Sequence, residues 1–353
     1  ATKKGGEGST PARRTLRFDV SEGTYTVRAV LEDGASGRVA QRLVNVTVPA
    51  ATGAPALGGL RLEGMEGGVV VPLVSQSLPT GVDSLRAVVQ ATAVPDNAVV
   101  RATVVRYRAD TTAALAISLF TPPESGLVAR GVDLGRADTV QTVRQRLDRP
   151  ADAVQVEAPL PPLGRGVYGV SLDLVAGGET VAHTSRLIVV RRRDFPQVTR
   201  EGDLIGPLAY LADDGEMRRL RSVRGTPLAR RAFDRFWGER IDDRRVAAAT
   251  VRAYYERVEE ANRLFSTQKE GWRTDPGMIY ILFGPPAYVD RTPRGETWTY
   301  GARGGAPPAF TFVQTAGGPG DPAPFSVLTL VRDRDYQDAW RQARRLWRTG
   351  QPV

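Results

Sequence analysis

The feature that most restricts the fold is a segment that occurs twice. Residues 23–48 read GTYTVRAVLEDGASGRVAQRLVNVTV, and residues 166–190 read GVYGVSLDLVAGGETVAHTSRLIVV. Each copy has a Gly-x-Tyr start, an alternating apolar stretch, a Gly-containing turn and a second alternating stretch. This pattern predicts a β-hairpin with one buried face. Because a Tyr that opens a late strand before a closing hairpin is typical of immunoglobulin-like or fibronectin-like sandwiches, each copy is predicted to end such a module.

The two copies differ in what precedes them. The second copy follows a full set of predicted strands, at residues 58–63, 69–75, 83–93, 98–107, 112–120 and 152–158. The first copy has almost nothing upstream, and two or three strands do not make a stable sandwich. We therefore expect either that the chain is the tail of a longer protein, or that strands 14–48 pack on the second module or on a partner. An exposed edge there would suit strand addition from another chain.

The periodicity becomes helical after a connector at residues 191–205. Pro207 and the Thr226-Pro227 pair are predicted to start short helices, the second of which runs to about Arg240. The strongest helical pattern is a single apolar stripe formed by Ala247, Val251, Tyr254, Val258, Ala261 and Phe265. Steps of three and four residues place these side chains on one face. The stripe is predicted to pack in a core, with a groove for a partner helix as the alternative.

After Gly271 the pattern again indicates strands. Short apolar runs at 278–283, 296–300, 309–313 and 325–331 predict a small antiparallel sheet. Thr274-Asp275-Pro276-Gly277 has the composition of a turn before the first of these strands. Gly284-Pro285-Pro286 would then end that strand. The segment 271–286 is thus interpreted as a turn and a buried strand rather than as a catalytic loop.

The chain closes with a predicted amphipathic helix at residues 332–348. Acidic residues lie early in it and arginines late, an order that complements a helix dipole. Docking of its aromatic face on the sheet is one interpretation. A basic helix that rests on an anionic membrane surface is the other. The residues through which such contacts would run are Trp340, Arg341, Arg344, Arg345, Trp347 and Arg348.

Composition excludes several kinds of site. The 353-residue chain has no cysteine and one histidine, His183, so disulfides, thiolate metal centres and multi-histidine metal sites within the chain are excluded. No cofactor is predicted. The net charge of +9 suits acidic partners. The basic residues are scattered among acids and form no nucleic-acid-binding arm. The chain contains no run of about 18 apolar residues, so no membrane-spanning helix is predicted.

Few residues form a recognisable catalytic pattern. His183 lies in a predicted hairpin without a nucleophile-elbow serine, and no phosphate-binding glycine loop is present. The cluster Asp213-Asp214-Gly215-Glu216 lacks calcium-loop spacing and is predicted to cap a helix. Asp275 and Glu296 could meet across the sheet as a glycosidase-like carboxylate pair. The alternative for Glu296 is an ion pair with an arginine.

Several separated blocks resemble the GWxTD-domain family of bacterial proteins. They are Gly271-Trp272-Arg273-Thr274-Asp275, Ile279-Tyr280-Ile281 and Gly284-Pro285-Pro286, with Phe236-Trp237, Tyr255, Arg257, Val258, Ala261, Asn262 and Phe265 upstream and Glu296, Trp298 and Tyr300 downstream. The resemblance spans about 195–331. It implies a secreted or envelope protein with no assigned catalytic residues. The chain departs from the family pattern at Pro276, Met278 and Ala287, where the family commonly has polar residues, and this favours a structural role.

The sequence therefore predicts a mainly β plus α+β protein. A partial β-sandwich at 1–50 precedes an immunoglobulin-like sandwich at 55–192 and an α+β GWxTD-type domain at 193–353. The predicted function is a non-enzymatic, extracytoplasmic subunit of a cell-envelope or membrane protein complex, located in the periplasm or at the cell envelope. The motif residues predicted to have structural roles are Gly271, Trp272, Thr274, Asp275, Gly284, Pro285 and Trp298. The alternative is an envelope glycan hydrolase that uses Asp275 and Glu296.

Overall fold

The computed structural model describes residues 20–32, 34, 39–48, 53–66, 69–73, 77–79, 84–114, 131–147, 151–292, 294–301, 308–316 and 325–352. The chain divides into two compact units, residues 1–55 and residues 56–353. The predicted parts of the chain before residue 20 and at 115–120 lie outside the described residues. The predicted boundary at residues 192 and 193 falls inside the second unit and stays a prediction.

The first unit contains the first copy of the repeat as an antiparallel hairpin. Its strands are β1 (Gly23–Glu32) and β2 (Val39–Val48), with Tyr25 opposite Val46. The hydroxyl of Tyr25 donates to the carbonyl of Ser21 at 2.8 Å. This bond links the start of β1 to the residues just before it. The pairing of β1 with β2 confirms the predicted hairpin.

The second unit begins with two sheets. One contains β3 (Ala56–Leu57), β4 (Arg61–Glu66), β5 (Val69–Leu73), β7 (Ser84–Val94) and β10 (Ala151–Leu160). The other has the order β6-β12-β11-β8-β9, formed by β6 (Ser77–Pro79), β8 (Val99–Ala109), β9 (Val132–Arg146), β11 (Gly166–Ala176) and β12 (Glu179–Arg191). Alternate residues of both sheets, such as Val89 and Leu172, share one hydrophobic core. The Tyr168 hydroxyl donates to the Gly164 carbonyl at 3.0 Å, as in the first copy.

Two strands of the second sheet, the short β6 and the long β9, were not predicted. Strand β9 pairs with β8, but its side chains are almost all exposed or half-buried, including Leu134 and Val140. Because neither face of β9 is buried, its sequence lacks the alternation that marks a half-buried strand. The predicted strand at 112–120 is not seen in its described part, since Thr112 and Ala113 have no regular structure.

The helical region follows most of the predicted pattern, but the helix predicted to start at Thr226-Pro227 begins at Ala229, with Leu228 at its N-cap. It contains α1 (Glu201–Leu204), a 3₁₀ turn (Pro207–Tyr210), α2 (Asp214–Ser222), α3 (Ala229–Gly238) and α4 (Arg244–Phe265). Asp213 and Glu216 form a capping box at the start of α2, as predicted. The stripe on α4 packs in the main core of this region, where Tyr254, Val258 and Ala261 are fully buried. Core packing is therefore confirmed for the stripe.

The segment predicted as a turn and a buried strand is a helix, and that prediction was wrong. A short 3₁₀ turn (Gly271–Arg273) leads into α5 (Asp275–Phe283), and residues 276–283 are all buried. An apolar run that is surrounded by protein on every side has no helical periodicity, so MIYILF was indistinguishable from a buried strand. Gly284, at φ +80°, ends the helix instead of a strand.

The last sheet lies after α5. Its strands are β13 (Tyr288–Thr292), β14 (Gly295–Thr299), β15 (Ala309–Ala316) and β16 (Val327–Leu330), joined antiparallel in this order. Three of the predicted strands are confirmed, and Tyr288–Thr292 takes the place of 278–283. The buried rings of Phe310 and Phe312 on β15 face the core that α4 and α5 also line.

The terminal helix α6 (Tyr336–Arg348) docks on this core. Tyr336 packs on Phe310 with ring centroids 4.8 Å apart, and Trp347 packs on Tyr254 at 5.2 Å. Trp340 and Trp347 are buried, as the docking interpretation expects, so their rings are not free to contact a membrane surface. These two tryptophans lie two helical turns apart, on the side of α6 that faces the core. Within the part of the chain that the structure describes, none of the helices has the length and apolar content needed to span a bilayer.

Candidate functional site

The pentapeptide Gly271–Asp275 lies between helices α4 and α5, and its first residue touches the α4 backbone. A Cβ at position 271 would overlap the carbonyl oxygen of Ala261 and come within 2.8 Å of the Asn262 Cα. Only glycine allows this approach. The amide of Gly271 donates to the Ser266 hydroxyl at 2.8 Å, which closes the loop between the two helices.

Trp272 fills the space beside this contact. Its backbone amide donates to Asn262 Oδ1 at 3.1 Å, and its carbonyl accepts from the buried Tyr210 hydroxyl. Its indole N–H donates to Glu270 at 3.0 Å, and its ring lies against Gly206, where a Cβ would come within 2.9 Å. The tryptophan thus holds the 3₁₀ turn at Pro207–Tyr210 against α4 with its ring and with both backbone groups.

Thr274 caps helix α5. Its hydroxyl accepts from the Gly277 amide at 3.1 Å and donates to the Gly271 carbonyl at 2.7 Å. The side chain is buried, and Pro276 follows within the first turn. Threonine at the N-cap and proline in the first turn both favour a helix start. These two residues explain why a helix, not a strand, begins here.

Asp275 ties the start of α5 to the end of β16. Its Oδ2 accepts from the Leu330 amide at 2.8 Å, and its Oδ1 accepts from Arg332 at 2.9 Å. Both side chains of this ion pair are almost fully buried, at 10% and 3% exposed. The Nη1 atom of Arg332 is buried and makes no hydrogen bond. The carboxylate therefore supports the Arg332 charge, and losing it would leave that charge buried without a partner.

A cleft of about 630 Å³ opens beside Asp275 and also has Glu296 in its wall. Glu296 accepts from Arg291 at 2.9 Å and from the Trp298 indole N–H at 2.8 Å. The predicted arginine partner of Glu296 is confirmed. Tyr280 adds a phenol to the wall, and burial, with a hydrogen bond to Glu260, raises the pKa of Tyr280 to about 12. The structure thus brings the two predicted carboxylates to one cleft, each already bound to N–H donors.

Comparison with known proteins identifies this part of the chain. A family model described as GWxTD domain matches residues 174–349. The chain belongs to the GWxTD-domain family. No curated protein matches it. Among solved structures it is similar to Spo0M, the sporulation control protein from Bacillus subtilis, at 10% identity and a TM-score of 0.22. That match covers 43% of this chain and 54% of the Spo0M chain, about half its length. A TM-score this low does not indicate a shared fold.

The variable position of the GWxTD motif is Arg273 in this chain. Its guanidinium lies 4.4 Å from the Trp272 ring centroid, donates to Glu270 at 2.8 Å, and donates to the Thr111 carbonyl at 2.9 Å. Glu270 also pairs with Arg165 at 2.6 Å. Burial raises the pKa of Glu270, but the hydrogen bond and charge of Arg273 and the charge of Arg165 outweigh burial and hold it below its usual value. These bonds join the GWxTD motif to the loops of the neighbouring sheets.

The remaining predicted motif residues are structural as well. Gly284 accepts from the buried Tyr300 hydroxyl at 3.1 Å, and Pro285 follows directly after the end of α5. Trp298 is buried and packs on Phe312 at 4.8 Å. The bond between Tyr300 and Gly284 therefore joins the end of α5 to the last sheet.

The six interaction candidates on α6 fall into two groups. Trp340 and Trp347 are buried, Arg344 donates to the Leu211 carbonyl at 2.8 Å, and Arg348 pairs with Glu216 at 2.8 Å. Arg341 and Arg345 are exposed. Only these two arginines are placed to meet an acidic surface.

His183 pairs with a carboxylate on the neighbouring strand. Its Nδ1 lies 2.7 Å from Asp173, which also accepts from Arg101 at 2.9 Å. Burial raises the pKa of Asp173, but the hydrogen bonds of His183 and Arg101 outweigh it and hold this pKa below its usual value. This is a cross-strand charge cluster on the sheet surface. Among the residues that the structure describes, no group of histidine and carboxylate side chains could hold a metal ion.

Sequence reasoning missed Arg332 and Glu270. Both are charged residues whose partners are distant in the chain, so no local sequence pattern predicts their ion pairs. The one available signal for Arg332 was its place directly after an apolar strand, where a buried charge requires a buried partner.

Proposed function

We propose that this GWxTD-domain protein is a non-enzymatic, extracytoplasmic structural subunit that binds and stabilises a larger cell-envelope or membrane protein complex. The observation that carries this proposal is the use of the GWxTD motif. Its glycine, tryptophan, threonine and aspartate all make contacts within the chain, and these contacts join α4, α5 and β16. Contacts of this kind maintain a fold, and they support a structural role for the motif.

We further propose that the two sheets between residues 55 and 192 form an immunoglobulin-like sandwich. The shared core of the two sheets supports this assignment. So does the bond from Tyr168 to a backbone carbonyl four residues upstream, which resembles the tyrosine corner of such folds. Modules of this kind commonly serve as binding scaffolds.

The hairpin β1–β2 is the surface that we propose for the protein partner. Val27 and Val46 are both more than 40% exposed, and the register places them on one face as diagonal neighbours. Exposed apolar side chains on a sheet suit contact with another protein. The expected partner is a polypeptide of the envelope complex.

The proposal is tested by purifying the tagged protein from gently solubilised membranes of its native host. The double variant Val27→Asp/Val46→Asp should lose its co-purifying proteins. The matched variant Val140→Asp/Val181→Asp, with equally exposed valines on strands β9 and β12, should retain them. Loss of the partners from both variants, or from neither, would count against the hairpin.

A glycan hydrolase remains the second candidate, because Asp275 and Glu296 line one cleft. Aromatic side chains such as Phe265 and Trp298 also line it, which suits sugars. A hydrolase needs a carboxyl group that delivers a proton to the leaving oxygen, whereas both carboxylates here accept N–H bonds. Incubation with purified envelope glycan decides the matter. New reducing ends that appear with the wild type and disappear with Glu296→Gln would establish the hydrolase and sink the structural proposal.

A further inference from the structure

A second cleft lies where the loops of the β6–β12–β11–β8–β9 sheet meet the GWxTD motif. Its volume is about 360 Å³, and its wall includes strand residues such as Arg106 and Val189 together with Trp272 and Arg273 of the motif. This volume falls in the range of small-molecule sites. The cleft is separate from the one that contains Asp275 and Glu296.

The charge of this cleft is strongly one-sided. Among the described residues in its wall, seven are cationic and only Asp203 and Glu270 are acidic, an excess of five positive charges. A cleft that is lined by one sign of charge concentrates its field in the opening and attracts ions of the opposite sign. Two carboxylates just outside the wall reduce this excess to three, because Asp194 pairs with Arg192 at 3.1 Å and Asp110 lies 4.0 Å from Lys269.

Part of this charge is built into the floor of the cleft. Arg191 is 6% exposed and donates to the backbone carbonyls of Thr267 and Lys269. Burial, opposed by Glu270 and assisted by Arg165, lowers the pKa of Arg191 to about 10. The carboxylate of Glu270 in the same wall supports the charge of this guanidinium. A buried guanidinium in this setting gains from an anion placed near it.

Three arginines at the rim are placed to contact a ligand directly. Arg106 is exposed and meets no carboxylate among the described residues. Arg165 is 55% exposed and pairs with Glu270 at 2.6 Å, and Arg224 is 53% exposed with its nearest carboxylate oxygen on Asp203 at 3.9 Å. Guanidinium groups bind phosphate oxygens through paired N–H bonds.

We propose that this cleft binds a phosphate group, carried by a small soluble molecule or by a lipid headgroup. Rings at the wall, Phe195 and Trp272, would contact the apolar part of the molecule that carries the phosphate. Since the ligand would touch both the sheet loops and the motif, its binding would also stabilise their junction. This inference does not depend on the proposed subunit role.

Calorimetric titration of the whole chain with inorganic pyrophosphate tests the site. The variant Arg106→Gln/Arg224→Gln removes two rim charges. The matched variant Arg108→Gln/Arg221→Gln removes two exposed charges that lie on the same strand and next to the same helix end but outside the cleft wall. We expect saturable one-to-one binding that weakens about tenfold or more in the first variant and changes by less than about twofold in the second.

Vesicles separate the two sources of phosphate. They consist of phosphatidylcholine alone or with roughly one-third phosphatidylglycerol. Sedimentation with the anionic vesicles that pyrophosphate reverses and the cleft variant loses would assign a lipid headgroup. Pyrophosphate binding without sedimentation would assign a soluble phosphate. No saturable binding to either probe, or equal weakening in both variants, would overturn the proposal, whether or not the protein co-purifies with a complex.

Discussion

The backbone of Gly271 rests directly on the carbonyl of Ala261, so close that position 271 has no room for a side chain. Gly271→Ala would force α4 and the motif apart. We expect it to lower the free energy of unfolding by about 3 kcal/mol or more, as overpacking against rigid backbone does. Urea denaturation, monitored by tryptophan fluorescence, measures this change.

Gly238→Ala is the matched control for that substitution. Gly238 is the last residue of α3, and a Cβ there would meet nothing within 4 Å. Alanine favours helix over glycine, so the control should be neutral or slightly stabilising. Equal stabilities for the two variants would contradict the close approach at Gly271.

Thr274→Val tests whether the fourth motif residue acts as a helix cap. Valine has the same shape but cannot accept from the Gly277 amide or donate to the Gly271 carbonyl. We expect a loss of roughly 1–2 kcal/mol in unfolding free energy. Thr274→Ser, which keeps the hydroxyl, should recover most of it. A serine variant as unstable as the valine variant would show that the methyl group matters instead.

Asp275→Asn tests the buried ion pair. The amide leaves Arg332 charged and buried, so we expect a loss of about 3 kcal/mol. Glu296→Gln makes the same chemical change in the same cleft, but its partner Arg291 is 73% exposed. The expected loss there is below about 1 kcal/mol. The double variant Asp275→Asn/Arg332→Met should be more stable than Asp275→Asn alone, and additive losses would contradict the pairing.

The pKa of Glu270 makes stability depend on pH. Its folded-state value is lowered because the hydrogen bond and charge of Arg273 and the charge of Arg165 outweigh burial. Its contribution is therefore fully present above the ordinary glutamate pKa of about 4.3 and is lost as the pH falls through the lower, folded value. Between about pH 5 and pH 3, the unfolding free energy of Glu270→Gln should fall less steeply than that of the wild type. Parallel curves would show that Glu270 does not titrate with unfolding.

Much of the fold follows from sequence pattern, and the exceptions have physical reasons. The stripe on α4 and the repeated hairpins each bury one face, so periodicity reveals them. Helix α5 is buried on every side, and strand β9 is buried on neither of its faces. Hydrophobic periodicity therefore reveals neither element. Thr274, Pro276 and Gly284 did carry the helix signals at the correct spacing, but they also fit a turn and a strand end.

The candidate site was less predictable than the fold. The sequence indicated Asp275 and Glu296, and the structure places both in one cleft. Their partners decide what they do, however, and Arg332 lies 57 residues beyond Asp275. Long-range partners depend on how the elements pack, which the local sequence does not encode.

The central claim, a subunit within a larger assembly, is tested most directly by the native size of the protein in gently solubilised membranes of its host. Mass spectrometry of comigrating proteins then identifies the partners. The account predicts one large complex with a fixed ratio of this chain to its partners. A free monomer under the same conditions would contradict it and would favour the hydrolase.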